Sequence, residues 1–147
     1  MLIPGLLATL LLASPLWTPA VPQDNWEEVR TIAETQHEIV LLLIEKEEFD
    51  KVPQAAREIF RLHFPENQEH RIVKEAQILS SALLHHNRTD IAHQVVSDAM
   101  GCVKTPQAKA ELHKEQAFIY RREGKNDEAL REFEESLKIE KQQAPQQ

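Results

Sequence analysis

The chain has 147 residues and a formal net charge of −7, and 41% of its residues are hydrophobic and 28% charged. This length suits one compact domain, and this composition excludes collagen-like and low-complexity chains. Only 3 glycines and 5% aromatic residues argue against an all-β protein with its many turns, and 1 cysteine excludes an internal disulfide or a multi-cysteine zinc site.

The negative charge is concentrated near the start of the chain. Nine acids and two bases lie between Asp24 and Asp50, which accounts for the whole net charge of −7. The 15 acids and 15 bases that remain balance each other. Since binding to DNA or RNA relies on a basic surface, we expect no nucleic-acid partner.

Residues 1–22 have the pattern of a secretory signal peptide. No charged residue precedes Asp24, and the apolar run Leu6–Ala13 is followed by three prolines. This run is too short for the bilayer core, which takes about 20 helical residues, and the prolines break a helix. We therefore expect export to the periplasm or the cell exterior, with cleavage of the leader. The alternative is a leader that remains uncleaved and anchors the chain.

From Asp24 to Lys141 the apolar residues recur with the period of an α-helix, and six such stripes predict six helices. The stripes comprise Trp26, Val29, Ile32, Ala33, Ile39, Val40, Leu43 and Ile44; Val52, Ala55, Ala56, Ile59 and Phe60; Ile72, Val73, Ala76, Leu79, Ala82 and Leu83; Ile91, Ala92, Val95, Val96, Ala99 and Met100; Ala110, Ala117, Phe118 and Tyr120; and Ala129, Leu130, Phe133 and Leu137.

Polar residues mark the predicted helix starts. Asn25, Thr89, Thr105 and Asn126 each stand where a side-chain oxygen can cap the first turn of a helix. Pro106 directly follows Thr105 and suits the first helical position, because it has no backbone N–H to satisfy. These signals divide the chain into short, separately capped helices.

The predicted helices repeat in pairs. Ala56, Ala92 and Ala129 are 36 and 37 residues apart, and an apolar residue follows each of them four positions later. A period of about 34–40 residues built from helix pairs is typical of a helical solenoid. The prediction is one domain over residues 24–141, divided at about 24–65, 66–104 and 105–141, and followed by a disordered tail at 142–147.

Residues 110–141 resemble a tetratricopeptide repeat. The residues at that family's spacings are Ala117, Tyr120, Gly124, Ala129, Phe133 and Ser136, and in the middle repeat Ser80, Leu83, Asn87, Ala92, Val96 and Ala99. The first repeat keeps Ala56 and Phe60, and Ile44 fills a position where a small residue is usual. The resemblance departs at His113 and Lys141, which replace an aromatic residue and a proline. It implies an all-α fold of three antiparallel helix pairs in a short right-handed solenoid.

Seven histidines raise the question of a metal site. His85 and His86 are neighbours, so on a helix they point about 100° apart, and no two histidines are four residues apart on one helix face. No glycine-rich phosphate loop and no nucleophile elbow occurs in the sequence. We therefore expect no metal, no cofactor and no catalysis.

Tetratricopeptide repeats bind peptides or protein surfaces along a concave groove lined by the first helix of each pair. By position, the first two repeats would contribute Glu34, His37, Leu41, Glu45, Lys74, Gln77, Ser81, Leu84, His85 and Arg88. The residues expected to bind the partner are Lys74, Leu84, Arg88, Lys114, Phe118, Arg121, Arg122 and Lys125. The function implied is that of an exported, non-enzymatic adaptor or scaffold for a protein or peptide ligand, acidic ligands included.

The alternative is a structural module that associates with itself. The last predicted helix has a polar outer face, formed by Arg131, Glu134, Glu135 and Lys138, whereas the first helix is aliphatic from Ile39 to Ile44. Terminal repeats need a polar outer face to stay soluble, so this apolar first repeat could stack on further copies. Contact with a membrane is expected only through an uncleaved leader.

Overall fold

The computed structural model describes residues 25–145, so the predicted leader lies outside the described residues. Within them the fold is all-α and contains no strand. The helices are α1 (Asn25–Glu45), α2 (Val52–Phe60), α3 (Glu69–His85), α4 (Thr89–Met100), α5 (Pro106–Arg122) and α6 (Asn126–Gln143), and single turns of 3-10 helix at Phe49–Lys51 and Glu66–Gln68 precede α2 and α3. The prediction of six helices is confirmed, and α6 extends two residues into the predicted tail.

The helices pack in the order in which they occur in the chain. α1 packs against α2, α3 against α4, and α5 against α6, while α1 also contacts α3, and α3 and α4 both contact α5. This arrangement is compatible with a helical repeat, in which each unit contacts only its neighbours. The core between the helices is mostly aliphatic, with Phe60 as its buried aromatic residue. Its largest fully buried side chains include Phe60, Leu79, Leu83, Leu112 and Ile119.

The two helices of each pair are joined by turns of the same geometry. Glu47, Asn87 and Gly124 all adopt a positive φ, of 58°, 57° and 75°. The residue after each of them donates its backbone N–H across the turn to a carbonyl oxygen five residues earlier, at 2.9 Å in all three turns. These are Schellman-type helix ends, in which Glu47 and Asn87 adopt the left-handed conformation that Gly124 adopts most readily.

The first pair differs from the others in the length of its connection. Ala56 lies nine positions after Glu47. In the later pairs, Ala92 and Ala129 lie only five positions after Asn87 and Gly124. The additional four residues accommodate the 3-10 turn Phe49–Lys51, which directly precedes α2. The left-handed residues of successive turns are therefore 40 residues apart from Glu47 to Asn87 and 37 residues apart from Asn87 to Gly124.

This longer connection changes which residue of α1 occupies the small-residue position. When the three turns are aligned, Val40 corresponds to Ser80 and Ala117, and all three residues are fully buried. The assignment of Ile44 to this position is wrong by one helical turn, because it counted a constant period back from α2. Val40 is larger than Ser80 and Ala117, so the position is less restrictive in the first pair.

The predicted caps hold at one helix start and fail at two. Thr105 precedes α5, and its hydroxyl oxygen accepts a hydrogen bond from the backbone N–H of Ala108 at 3.4 Å. Thr89 and Asn126 instead lie inside the first turns of α4 and α6. The preceding residues, Arg88 and Lys125, make no side-chain capping bond. Both predictions therefore misplaced the helix start by one residue.

Glu69 connects the starts of α3 and α5. Its carboxylate is only 3% exposed and accepts hydrogen bonds from the backbone N–H groups of Lys104 and Thr105, both at 2.8 Å, and from the Thr105 hydroxyl at 2.6 Å. Burial raises the pKa of this carboxyl, but the three bonds outweigh that effect and hold the pKa below its ordinary value of 4.5. The negative charge also lies at the N-terminus of α5, where the helix dipole favours it.

The apolar residues of α6 do not all face the core. Ala129 is buried, and the Phe133 ring packs edge-on against Phe118 of α5, with 5.4 Å between ring centroids. Leu130 and Leu137 are 57% and 48% exposed. The prediction that these two leucines face inward is wrong, because within residues 25–145 no further helix pair covers that side of α6.

Candidate binding groove

An open groove runs between α1 and α3, and Ile59 of α2 also lines its narrower part. It consists of two depressions, of about 250 Å³ near Trp26 and about 670 Å³ near His85, which share Lys74 and Ile78. We call this surface the α1–α3 groove. Its lining includes Trp26, Ala33, Glu34, His37, Leu41, Ile44, Glu45, Phe64, Arg71, Lys74, Glu75, Gln77, Ile78, Ser81, Ala82 and His85.

The wider half of the groove has an apolar floor and a polar rim. Leu41 and Ile44 of α1 face Ile78 and Ala82 of α3 across the floor. Ile78 is 37% exposed in this position, although it lies in the middle of α3. The rim is formed by Glu45, Lys74, Gln77, Ser81 and His85. An apolar side chain of a ligand can therefore be buried here while polar groups remain at the edge.

The narrower half is bounded by aromatic and cationic side chains. The Trp26 ring packs edge-on against Phe64, with centroids 5.7 Å apart. The Arg71 guanidinium carbon lies 5.3 Å from the centroid of the Trp26 ring, which is a cation–π distance. Because Trp26 belongs to α1 and Arg71 to α3, this contact also joins the two helices that form the groove.

A half-buried contact between a histidine and a carboxylate lies between the two halves. His37 Nδ1 of α1 is 2.8 Å and 2.9 Å from the two carboxylate oxygens of Glu75 of α3. Burial raises the pKa of Glu75 above its ordinary value, and the interaction with His37 opposes that rise. This contact joins the two helices that form the groove.

Two further histidines bridge helices outside the groove. His93 of α4 places Nδ1 2.5 Å from Gln116 Oε1 and Nε2 3.1 Å from Glu123 Oε2, both on or just after α5. His113 of α5 places Nδ1 2.6 Å from Glu132 Oε2 of α6. Burial raises the pKa of Glu123, but interactions with His93, Thr89 and Lys125 outweigh that effect and lower the pKa to about 2. These histidines therefore serve as interhelical contacts.

Within residues 25–145 no group of three or more His, Cys, Asp or Glu side chains is arranged to hold a metal ion. None of the helices in the same part of the chain combines the length and the apolar composition needed to cross a bilayer. No protein-family model matches the chain, and no curated protein is significantly similar to it.

The eight residues expected to bind a partner lie in three separate places. Lys74 is exposed and lines both halves of the α1–α3 groove. Leu84, Arg88 and Arg122 lie near the end of α3, where Arg122 Nη2 donates to the Leu84 carbonyl oxygen at 3.3 Å. The Arg88 guanidinium binds both carboxylate oxygens of Asp90, at 3.0 and 2.8 Å. Its planar group is therefore already engaged within the chain.

The remaining four residues lie on or just after α5 and do not extend the groove. Lys114 pairs with Glu140 of α6 at 2.5 Å, and Phe118 packs on Phe133 of α6. Lys125 pairs with Glu123 at 3.1 Å, and Arg121 is exposed. Lys114 and Phe118 contact α6, and of the eight residues Lys74 is the one that lines the α1–α3 groove.

Sequence reasoning missed the residues that shape the narrow half of the groove. Trp26, Phe64 and Arg71 were assigned only to helix stripes or to connections. A usable signal was present, since Arg71 lies three residues before Lys74 and so shares its helix face. The position of Phe64, beyond the end of α2, could not be deduced because it depends on how the connection to α3 folds back.

Proposed function

We propose that this chain is an exported, non-enzymatic helical-repeat protein of the tetratricopeptide type that binds a peptide segment of a protein partner in the α1–α3 groove. The observation that carries the proposal is the exposed Ile78 on an apolar floor, with Lys74 beside it at the junction of the two halves. A repeat is supported by the shared geometry of the three turns at Glu47, Asn87 and Gly124 and by the order of the helices. The first helices of successive pairs are also in contact, α1 with α3 and α3 with α5.

The dimensions of the groove suit a short extended peptide. From Arg71 to His85, α3 rises about 21 Å at about 1.5 Å per residue. An extended peptide advances about 3.3 Å per residue, so about six residues fill this length. An apolar ligand side chain would sit over Ile78 and Leu41, and a ligand carboxylate would approach the Lys74 ammonium.

The proposal is tested by panning a library of random peptides against the chain and measuring the affinity of the enriched sequences. We expect enriched peptides to share an apolar residue with an acidic residue nearby. Ile78→Asp is expected to abolish their binding, and Lys74→Glu is expected to weaken it by at least about tenfold, which corresponds to about 1.4 kcal/mol.

The matched control is Lys109→Glu, which makes the same charge change at an exposed position on α5 outside the groove. Melting curves of the Lys74→Glu and Lys109→Glu chains should coincide with that of the parent chain, because both lysines are exposed. The Ile78 side chain is only 37% exposed, so the helicity of the Ile78→Asp chain is measured before its binding is compared. Enriched peptides that bind the Ile78→Asp and Lys74→Glu variants as tightly as the parent would show that the groove is not the binding site.

A further inference from the structure

Each end of the helix stack presents exposed apolar side chains. On α1, Ile39 and Leu42 are 44% and 54% exposed, and we call their surface the α1 outer face. At the other end, Leu130 and Leu137 of α6 and Phe118 of α5 are exposed, and we call the surface that includes them the α6 outer face. Both faces are distinct from the α1–α3 groove, which none of these residues lines.

The α1 outer face corresponds to a surface that is covered elsewhere in the chain. Aligned on the turns at Glu47, Asn87 and Gly124, Ile39 corresponds to Leu79 and Gln116, and Leu42 corresponds to Ala82 and Ile119. Leu79 and Ile119 are fully buried, Gln116 is 9% exposed, and Ala82 is partly buried. In α3 and α5 these positions are therefore covered, and Gln116 contacts His93 of the preceding pair, whereas in α1 they are exposed.

The α6 outer face corresponds to the opposite side of the same junction. Leu130 aligns with His93 of α4, and Leu137 aligns with Met100, which packs against the core. His93 contacts α5 through Gln116, through Glu123 and through the Tyr120 ring, whose centroid is 4.3 Å from its own. Leu130 thus occupies the position at which α4 contacts the following pair.

The chemistry at the two ends is matched. At the junction of α4 and α5, His93 and Gln116 form two hydrogen bonds, one through the side-chain oxygen of Gln116 and one in which its amide nitrogen donates to the His93 carbonyl oxygen at 3.1 Å. At the ends of the chain both corresponding residues are apolar, Leu130 and Ile39. The polar pair His93–Gln116 inside the chain thus corresponds to two apolar residues, Leu130 and Ile39, which lie at opposite ends of the helix stack.

One pair of charged residues at the ends, which includes Glu45 of the groove rim, is also complementary. Inside the chain, Arg122 donates to the Leu84 carbonyl oxygen across the contact of α3 and α5. On alignment of the turns, the corresponding residues at the ends are Glu45 and Arg121. Both are exposed, and they carry opposite charges.

We infer that copies of this chain associate head to tail, with the α1 outer face of one copy docked on the α6 outer face of the next. Ile39 and Leu42 then pack against Leu130, Leu137 and Phe118, as α5 packs against α4 inside the chain. Such an interface is heterologous, because two different surfaces meet, so it adds copies in an open series and does not stop at a symmetric dimer.

The test measures the mass of the full chain by sedimentation velocity over a wide concentration range. The parent chain is expected to grow in whole-number steps of the protomer mass. Ile39→Glu and Leu130→Glu, each at an exposed site, should both remain monomeric at concentrations at least about tenfold above those at which the parent associates. The control Ser97→Glu lies on the exposed side of α4 and should associate as the parent does.

Mixing the two variants gives the decisive measurement. The Ile39→Glu chain retains an intact α6 outer face, and the Leu130→Glu chain retains an intact α1 outer face, so an equimolar mixture should form dimers and nothing larger. If Leu130→Glu associates like the parent while Ile39→Glu does not, the α1 faces pair with each other and the inference is overturned. A parent chain that stays monomeric, as it would with residues 1–24 covering α1, also overturns it.

Discussion

The substitution Glu69→Gln tests whether a buried carboxylate holds α3 and α5 together. Glutamine keeps the shape of the side chain and one acceptor oxygen, but it places an NH₂ group among three donors, the N–H groups of Lys104 and Thr105 and the Thr105 hydroxyl. A hydrogen bond to a charged group contributes about 1.5–3 kcal/mol, and an unpaired buried donor costs about 1–3 kcal/mol. We therefore expect Glu69→Gln to lower the free energy of unfolding by about 2–4 kcal/mol.

The assay is thermal unfolding followed by circular dichroism at 222 nm. For a domain of this size about 1 kcal/mol lowers the Tm by about 3–5 °C, so the expected loss at pH 7 is about 10 °C. The pKa of Glu69 is lower in the folded state than its ordinary value of 4.5. Its contribution is thus complete above the unfolded pKa and lost as the pH falls through the folded pKa. The difference between parent and variant should shrink steadily below about pH 4.

The control is Glu66→Gln, the same chemical change at an exposed position in the neighbouring 3-10 turn. Its Tm should stay within about 2 °C of the parent at pH 7. Two results would refute the reasoning: an unchanged Tm for Glu69→Gln at pH 7, or a deficit of the same size at pH 7 and pH 3. The second result would mean that shape, and not the carboxylate charge, determines the contribution of Glu69.

Three further predictions concern the leader, the last helix pair and the turns. N-terminal sequencing of natively expressed protein should show removal of about the first 20 residues, and an intact Met1 on a cytosolic species would contradict export. Phe133→Ala should lower the free energy of unfolding, measured by urea melts, by about 2 kcal/mol. This is less than the roughly 3–5 kcal/mol lost with a fully buried ring, because Phe133 is only partly buried. An unchanged midpoint would mean that the contact with Phe118 contributes nothing. Glu47→Gly should stabilise the chain by about 0.5–1 kcal/mol and Gly124→Ala should destabilise it by about 1 kcal/mol, because positive φ disfavours a Cβ atom, and equal melts for both would contradict the turn geometry.

Apolar periodicity was sufficient to predict the six helices, although two of the four stripe residues of α6, Leu130 and Leu137, are exposed. The helix starts at Thr89 and Asn126 were misplaced by one residue, because capping residues are also common inside the first turn. Ile44 was misassigned because residue counting does not show how many residues a connection uses. Local spacing thus predicts elements well and the lengths between them poorly.

The groove could be predicted in part for a similar reason. Of the residues that the resemblance implied for a groove, His37, Leu41, Lys74 and Ser81 line the α1–α3 groove, because α1 packs against α3. Lys114 and Phe118 of α5 instead contact α6. The Glu69 contact was also missed, since its three donors lie more than thirty residues away in sequence.

The longer connection in the first pair shows where this chain accommodates a change in its length. The left-handed residue Glu47 ends α1 with the same turn as in the later pairs, before the additional residues begin. Those residues leave Ala56 as buried as Ala92, so packing between the helices does not depend on the length of the connection. The exposed residues Asp50 and Lys51 after Glu47 are accordingly a place where an inserted tag, a reporter or a protease site leaves the register of the helices unchanged.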